Sequence, residues 1–289
     1  DQPGGRASIW KKDGFIFDMG PSWYLMPDVF EKFFAEFGKK PQDYMKLVRL
    51  NPSYRVFFNK DDFVDISSDL TKNLNLFEEL EPGAKEKMKK YLDTSKYEYD
   101  IAMKDFIYKD YKHLTDFFKP KLIIQGTKLH MFEKLDSFAL RYFKSDKIRK
   151  ILEYTIVFLG GSPYDSPALY SLMSHVDFNM GVWFPIGAMG KLVDSMYELA
   201  KEQGAKFIFN EPVEKINVEK GVAKSVTTNK KTYEADIVVV NADYAWAEQN
   251  LLEKEYCSYK DKYWEKCKIA PSAYLLFLGL DKQIKKFEH

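Results

Sequence analysis

Asp236-Ile237-Val238-Val239-Val240-Asn241-Ala242-Asp243 is the stretch on which the fold turns. Its aliphatic residues run on without polar alternation, the pattern of a strand buried on both faces of a parallel sheet. The run exits into the small residue Ala242. Upstream, the chain from Gly187 reads as a helix with Leu192, Val193, Met196, Leu199 and Ala200 on one face, stopped by Gly204. Lys206 to Phe209 is expected to be a strand. Val213 to Val218 and Val222 to Thr227 follow as a meander about Glu219-Lys220-Gly221, with a Lys-rich turn after them. Helix, strand, meander and buried strand make half of a two-part dinucleotide-binding domain. The other half needs a strand, a Gly-rich turn and a helix N-terminus for phosphate. No GxGxxG occurs in the sequence, so that half is expected to lie outside this chain.

Toward the amino terminus, Ala7 to Gly20 predicts a hairpin turning at Lys11-Lys12-Asp13-Gly14. Asp28 and Glu31 have the spacing of a capping box. Val29, Phe30, Phe33, Phe34 and Phe37 then recur at helical spacing to Gly38, a stripe read as core-facing. Tyr54 to Phe58 and Phe63 to Ile66 read as strands joined by Asn59-Lys60-Asp61-Asp62. From about Leu70 to Leu159 the pattern is largely helical. Its stripe of Tyr91, Ser95, Tyr99, Ala102 and Phe106 suits a core first, and otherwise a membrane or an apolar tunnel. Ala273 to Leu280 is the longest apolar stretch and has strand length.

Composition narrows the function classes. With 44 basic against 43 acidic residues, no overall field draws the chain to nucleic acid. No apolar run approaches the ~18 residues of a spanning helix. Cys257 and Cys267 lack zinc-site spacing and read as ordinary thiols. His113, His130, His175 and His289 show no metal-ligand pattern, so no metal is expected. There is no nucleophile elbow, HExxH or Walker loop, which leaves hydrolase and kinase readings without support. The 23 Phe, 19 Tyr and 5 Trp suit either a Phe-rich core or a site for a large apolar ligand.

Three motifs can carry chemistry. Gly4-Gly5-Arg6-Ala7 sets a flexible turn against a guanidinium, a composition that lets backbone approach a phosphate; a plain surface turn is the alternative. Asp18-Met19-Gly20-Pro21-Ser22 closes the hairpin with a glycine that would let the chain pass close to a flat ring. Gly181-Val182-Trp183-Phe184-Pro185-Ile186-Gly187-Ala188-Met189-Gly190 is a bulky strand followed by small residues before a helix, a possible pocket wall or simply a buried strand. The chain offers no candidate general base.

Taken in order, these motifs resemble the phytoene desaturase family of carotenoid oxidoreductases, relatives of the flavin amine oxidases. The resemblance extends through Gly160-Gly161-Ser162-Pro163-Tyr164, Pro167-Ala168, Val213-Glu214-Lys215-Ile216, Ala235 to Asp243 and Ser272 to Gly279, and is loose across 70–150. It implies an α/β fold, α+β in the substrate domain: an incomplete two-domain FAD-binding fold of the glutathione-reductase and amine-oxidase type. The two domains would be interleaved. Residues 1–27 and 186–252 would belong to the FAD-binding domain, and 28–185 and 253–289 to the substrate domain.

By the same resemblance Gly5, Arg6 and Ala7 would border the FAD pyrophosphate and ribityl chain, and Gly20, Pro21 and Ser22 would approach the flavin. Val213 would meet the adenine through its backbone, with Ala242 lining that pocket. Trp183, Pro185 and Met189 would lie on the substrate side. Ala188 departs from the family, which usually has a second glycine there. The implied reaction is desaturation of a long polyene by a cytoplasmic enzyme held peripherally on a membrane surface. Such a fragment would not retain FAD unaided. Carotenoid isomerisation, amine oxidation and silent lipid carriage on the same fold stay open as alternatives.

Overall fold

The computed structural model describes residues 1–110, 112–113, 128–267, 272–282 and 284. They fall into two compact units, one built from Gly4–Glu198 with the segment from Ala273 onward, the other from Asp1–Pro3 with Leu199–Ser272.

The larger unit opens with the expected hairpin. Strands β1 (Ile9–Lys12) and β2 (Phe15–Asp18) pair antiparallel, Ile9 opposite Asp18. Asp13 and Gly14 both take positive φ, 51° and 84°, the backbone a two-residue hairpin turn requires. Helix Pro27–Ala35 follows, then β3 (Leu47–Arg49), and the pair β4 (Tyr54–Phe57) and β5 (Phe63–Ile66), with Tyr54 opposite Ile66. The Asn59 side chain fixes the β4–β5 turn by accepting the backbone N–H groups of Asp61 and Asp62. β3 pairs with β6 (Trp183–Pro185), Leu47 opposite Pro185.

The helical middle is present as Leu70–Leu80, Ala84–Ile101, Leu135–Tyr142 and Asp146–Glu153, with a π turn at His175–Met180. The part of this expectation that falls on 111 and 114–127 lies outside the described residues. Tyr91, Ser95, Tyr99 and Ala102 are buried, so that stripe faces the core. The core itself joins Phe77, Met88, Tyr91, Phe138, Phe143, Ile148 and Ile151. Burying aliphatic and aromatic side chains of this size stabilises by about 1.5–3 kcal/mol each.

The smaller unit holds a three-stranded meander, β7 (Val213–Glu219), β8 (Val222–Thr228) and β9 (Thr232–Glu234), in the order β7-β8-β9. Helix Tyr244–Leu251 packs against it through Ala247 and Leu251, which meet Ile216. Asp243 caps that helix by accepting the Trp246 N–H at 3.0 Å.

Several sequence expectations need correction. Asp236–Val240 pairs with no strand among the described residues, and Ile237 and Val239 are 80% and 86% exposed. A β-branched run states a demand for burial, whereas a strand exists only once neighbours supply its ladder. Residues 206–209 and 273–280 are likewise outside any sheet. Phe277 instead packs its ring at a tilt against Trp10 and Phe17 of the hairpin. Thr232–Glu234, beyond the Lys-rich turn and assigned no element from the sequence, is a strand. The Asp28 capping box does not form: the helix begins at Pro27 after Met26, and Asp28 accepts the Tyr99 hydroxyl instead. Of the Phe stripe only Phe34 is buried; Phe33 and Phe37 are partly exposed and pack on each other.

Candidate functional site

Within the larger unit the second and third chemistry-bearing motifs meet through Asp18. Its two carboxylate oxygens accept the backbone N–H groups of Met189, at 3.0 Å, and Gly190, at 3.1 Å. Gly190 opens helix Gly190–Glu202, so a carboxylate at the end of β2 satisfies donors that the first helical turn leaves unpaired, at the positive end of its dipole. A Cβ on Gly190 would collide with Ile9 of β1. The hairpin therefore seats directly on the helix start.

Gly20 was expected to allow close approach of a flat ring. Its neighbour in the chain's own fold is the Arg6 carbonyl oxygen, which a Cβ at position 20 would strike. Gly20 thus lets the hairpin exit lie against the Gly5–Ala7 turn, bringing Gly5, Arg6, Ala7 and Gly20 together. Gly5 has φ 51° and a Cβ there would touch nothing within 4 Å, so that face of the turn is open. Arg6 is exposed beside it.

Gly20, Pro21 and Ser22 line a cavity of about 570 Å³ together with Trp23, Leu25, Met26, Phe158 and Met173. None of these residues carries a charge. The sequence pattern singles out none of Trp23, Leu25, Met26, Phe158 and Met173: the first three follow Ser22 closely without any distinguishing signal, and Phe158 and Met173 come from more than a hundred residues away. Trp183 lies elsewhere. It pairs with Tyr24 through backbone hydrogen bonds of 2.8 and 3.1 Å and lines a smaller cavity with Pro27, Glu31, Met45 and Leu47. Pro185 is buried in β6. Met189 is buried against Tyr24 and Met45. Ala188 has φ 74°, the left-handed region that favours the glycine expected there.

In the smaller unit Val213 and Ala242 line one apolar cavity of about 540 Å³, walled also by Pro212, Ile216, Val238 and Val240. A flat aromatic base suits such a slot.

Four carboxyls are buried among the described residues of the larger unit, Glu98, Asp105, Glu153 and Asp177, and Asp105 is ion-paired with Lys109. Burial pushes Glu98 up to about 8, with Ser171 donating to one oxygen and opposing the shift; His130 lies 2.9 Å from the other. Burial also holds His130 below its usual range. Glu153 is raised to about 7 by burial, then by Asp136. Asp177, raised by burial to about 7, accepts the hydroxyls of Tyr54 at 2.5 Å and Tyr154 at 3.2 Å. His175 pairs with Asn179, and His289 lies outside the described residues. No group of three or more metal-binding side chains occurs among the described residues.

Residues 1–277 match the family of flavin containing amine oxidoreductases. The chain belongs to that family. It is 46% identical over 290 residues to the carotenoid 3,4-desaturase of Haloarcula japonica, covering all of this chain and 59% of that protein. It is 31% identical over 288 residues to the zeta-carotene-forming phytoene desaturase of Myxococcus xanthus, covering 99% of this chain and 55% of that one. The chain therefore spans somewhat over half the length of these curated relatives. Two solved structures share the fold at 15% identity: a redesigned putrescine oxidase, TM-score 0.53, covering 86% of this chain and 52% of that one, and a Pyrococcus furiosus protein, TM-score 0.54, covering 91% and 55%. The α/β fold of this flavoprotein family is thereby established for the chain.

Proposed function

We propose that the protein is an FAD-dependent oxidoreductase that desaturates a long polyene of the carotenoid type. One observation carries the reading. Gly20, Pro21 and Ser22, the segment matched to the family's flavin approach, share an uncharged cavity with Trp23, Leu25, Met26, Phe158 and Met173. A hydrocarbon offers nothing to hydrogen-bond, so its selection rests on apolar shape. A protonated amine would want a carboxylate or a cage open to a cation, and this wall has no charged member. The relatives named as desaturases support the same choice.

The residues fit an FAD. Gly5 leaves its side of the turn open and Arg6 stands exposed beside it, a combination suited to pyrophosphate. Gly5, Arg6 and Ala7 would hold that group, and Pro21 and Ser22 would border the flavin. In the smaller unit Val213 and Ala242 would hold the adenine. The chemistry supplied by bound FAD is acceptance of a hydride from a substrate carbon, a proton leaving the neighbouring carbon. The chain's own part is to orient the polyene and exclude water. Trp183, Pro185 and Met189 are proposed to shape the substrate side from behind. The interleaving of FAD-binding segments 1–27 and 186–252 with substrate segments 28–185 and 253–289 belongs to the same reading.

Val157, Phe158 and Leu159 are 68%, 53% and 52% exposed, and Phe158 is also a cavity wall. This tripeptide is proposed to dip into one membrane leaflet from the cytoplasmic side, where such substrates dissolve. No helix among the described residues is long and apolar enough to cross a membrane.

Incubation of the full-length flavin-loaded protein with a long colourless polyene tests the reading by absorbance, since desaturation lengthens the chromophore. The expected result is a red-shifted product with a bound flavin spectrum. A protein that purifies colourless and takes up no added FAD would overturn it.

A further inference from the structure

A buried acid stands behind the cavity wall. Asp177, on the π turn His175–Met180, is 5% exposed, and its Oδ2 accepts two tyrosyl hydroxyls, from Tyr54 on β4 and from Tyr154. Its Oδ1 is buried without a hydrogen-bond partner among the described residues. The Tyr54 and Tyr154 rings lie 5.1 Å apart, and both touch Trp23. Trp23 stacks on Tyr54 at 5.3 Å with 29° between planes, and meets Tyr154 edge-on at 6.4 Å and Phe158 edge-on at 5.9 Å. Trp23 and Phe158 are the two aromatic members of the cavity wall beside Gly20, Pro21 and Ser22.

Taking a carboxyl out of water with one oxygen unsatisfied is costly, and an apolar residue of similar size would pack there more cheaply. What the carboxyl adds is direction. One acceptor holding two hydroxyls fixes the tilt of both rings, and those rings form the surface on which the indole rests.

We propose that Asp177 is a positioning residue which, through Tyr54 and Tyr154, locks Trp23 as a rigid wall of the Gly20–Ser22 cavity and so sets the width available to a polyene. The proposal rests on reading that cavity as the polyene site. Trp23 is the residue that touches substrate; Asp177 acts through it. A long apolar ligand has no polar handle, so a wall that cannot give way is what discriminates between chains of different thickness and length.

The test uses the full-length, flavin-loaded protein and three variants: Asp177→Leu, Asp177→Asn, which keeps an acceptor oxygen, and Trp23→Phe. Two readouts are taken. The first is the near-ultraviolet circular dichroism contributed by Trp23, obtained as wild type minus Trp23→Phe, which reports immobilisation of the indole without any ligand. The second is binding of trans-parinaric acid, a conjugated polyene acid, by emission sensitised from tryptophan. In Asp177→Leu the Trp23 signal should vanish and probe affinity should fall about tenfold, while Asp177→Asn stays within about threefold of wild type.

An unchanged Trp23 signal in Asp177→Leu overturns the proposal, and so does an equal loss in the Leu and Asn variants. Should Asp177→Leu fail to fold, the double variant Tyr54→Phe with Tyr154→Phe keeps both rings and removes both donors. It should show the same losses, and wild-type behaviour would overturn the proposal. A wild-type protein that binds no parinaric acid counts against the polyene reading alone, because the dichroism still decides the positioning role.

Discussion

The Asp18 carboxylate accepts the Gly190 backbone N–H at 3.1 Å across 172 residues of sequence, tying the end of a hairpin to the start of a helix. The same carboxylate takes the Met189 N–H at 3.0 Å. Asp18→Ala removes both charge-assisted bonds and the favourable charge at the helix start. It should cost about 1–2 kcal/mol in urea unfolding of the full-length protein. Asp18→Asn keeps one acceptor and should lose roughly half as much. Equal stability of all three proteins would show that the cap contributes nothing.

Ala188 carries φ 74° two residues before that helix. Ala188→Gly removes the clash of its Cβ in the left-handed region, against the greater freedom glycine adds to the unfolded chain. A net gain of about 0.5–1 kcal/mol is expected, read as a raised thermal midpoint. A lowered midpoint would mean that the Ala188 methyl is held by contacts that outweigh the backbone strain.

Gly5 and Gly20 make a contrasting pair. At Gly20 an added Cβ strikes the Arg6 carbonyl oxygen, and Gly20→Ala should cost about 2–3 kcal/mol. At Gly5 the space is open and only the positive φ of 51° opposes a side chain, so Gly5→Ala should cost about 1 kcal/mol. Comparable midpoints for the two variants in denaturant would contradict the packing described for Gly20.

Arg6 is proposed to serve the cofactor. It is exposed at the Gly5–Ala7 turn, and Arg6→Ala should weaken FAD binding by the full-length apoprotein about 10- to 100-fold. Flavin fluorescence titration measures the affinity, and an unchanged value would count against this role for Arg6.

Glu98, Glu153 and Asp177 make the larger unit sensitive to alkali. Burial raises them to about 8, 7 and 7, so the folded chain retains protons that the unfolded chain releases near pH 4. Their contribution to stability is fully present below about pH 4 and is lost as pH rises through 7 to 8. The thermal midpoint should therefore fall between pH 5 and pH 8.5, and Glu98→Gln should flatten the fall. A midpoint that rises across this range would contradict the assignment.

Local pattern carried much of the fold. The β1–β2 hairpin announces itself through Asp13-Gly14, and β7 and β8 through Lys220-Gly221, because both elements are built from neighbours in sequence. The Asp236–Val240 run was read correctly as apolar and wrongly as paired, since periodicity reports what a segment must bury and not which strand lies beside it. The candidate site was legible as motifs and illegible as a wall. Gly20-Pro21-Ser22 stands out by its glycine and proline and Trp23 follows it without any signal of its own, whereas Phe158 and Met173 join only in three dimensions. Asp177 resembles any helical aspartate until Tyr54 and Tyr154 are seen on it.

The contact of Phe277 with Trp10 and Phe17, at 5.9 and 5.4 Å, bears on the order in which the protein is made. The larger unit takes its residues from the first and last parts of the chain, and the smaller from the contiguous span Leu199–Ser272 apart from three leading residues. On the ribosome the aromatic face of the hairpin must wait for more than two hundred and fifty further residues to emerge before Phe277 arrives to cover it. At a synthesis rate of ~5–20 residues per second that is an interval of roughly ten seconds to a minute, during which Trp10 and Phe17 lack this partner. The meander of the smaller unit can close before the larger unit is complete.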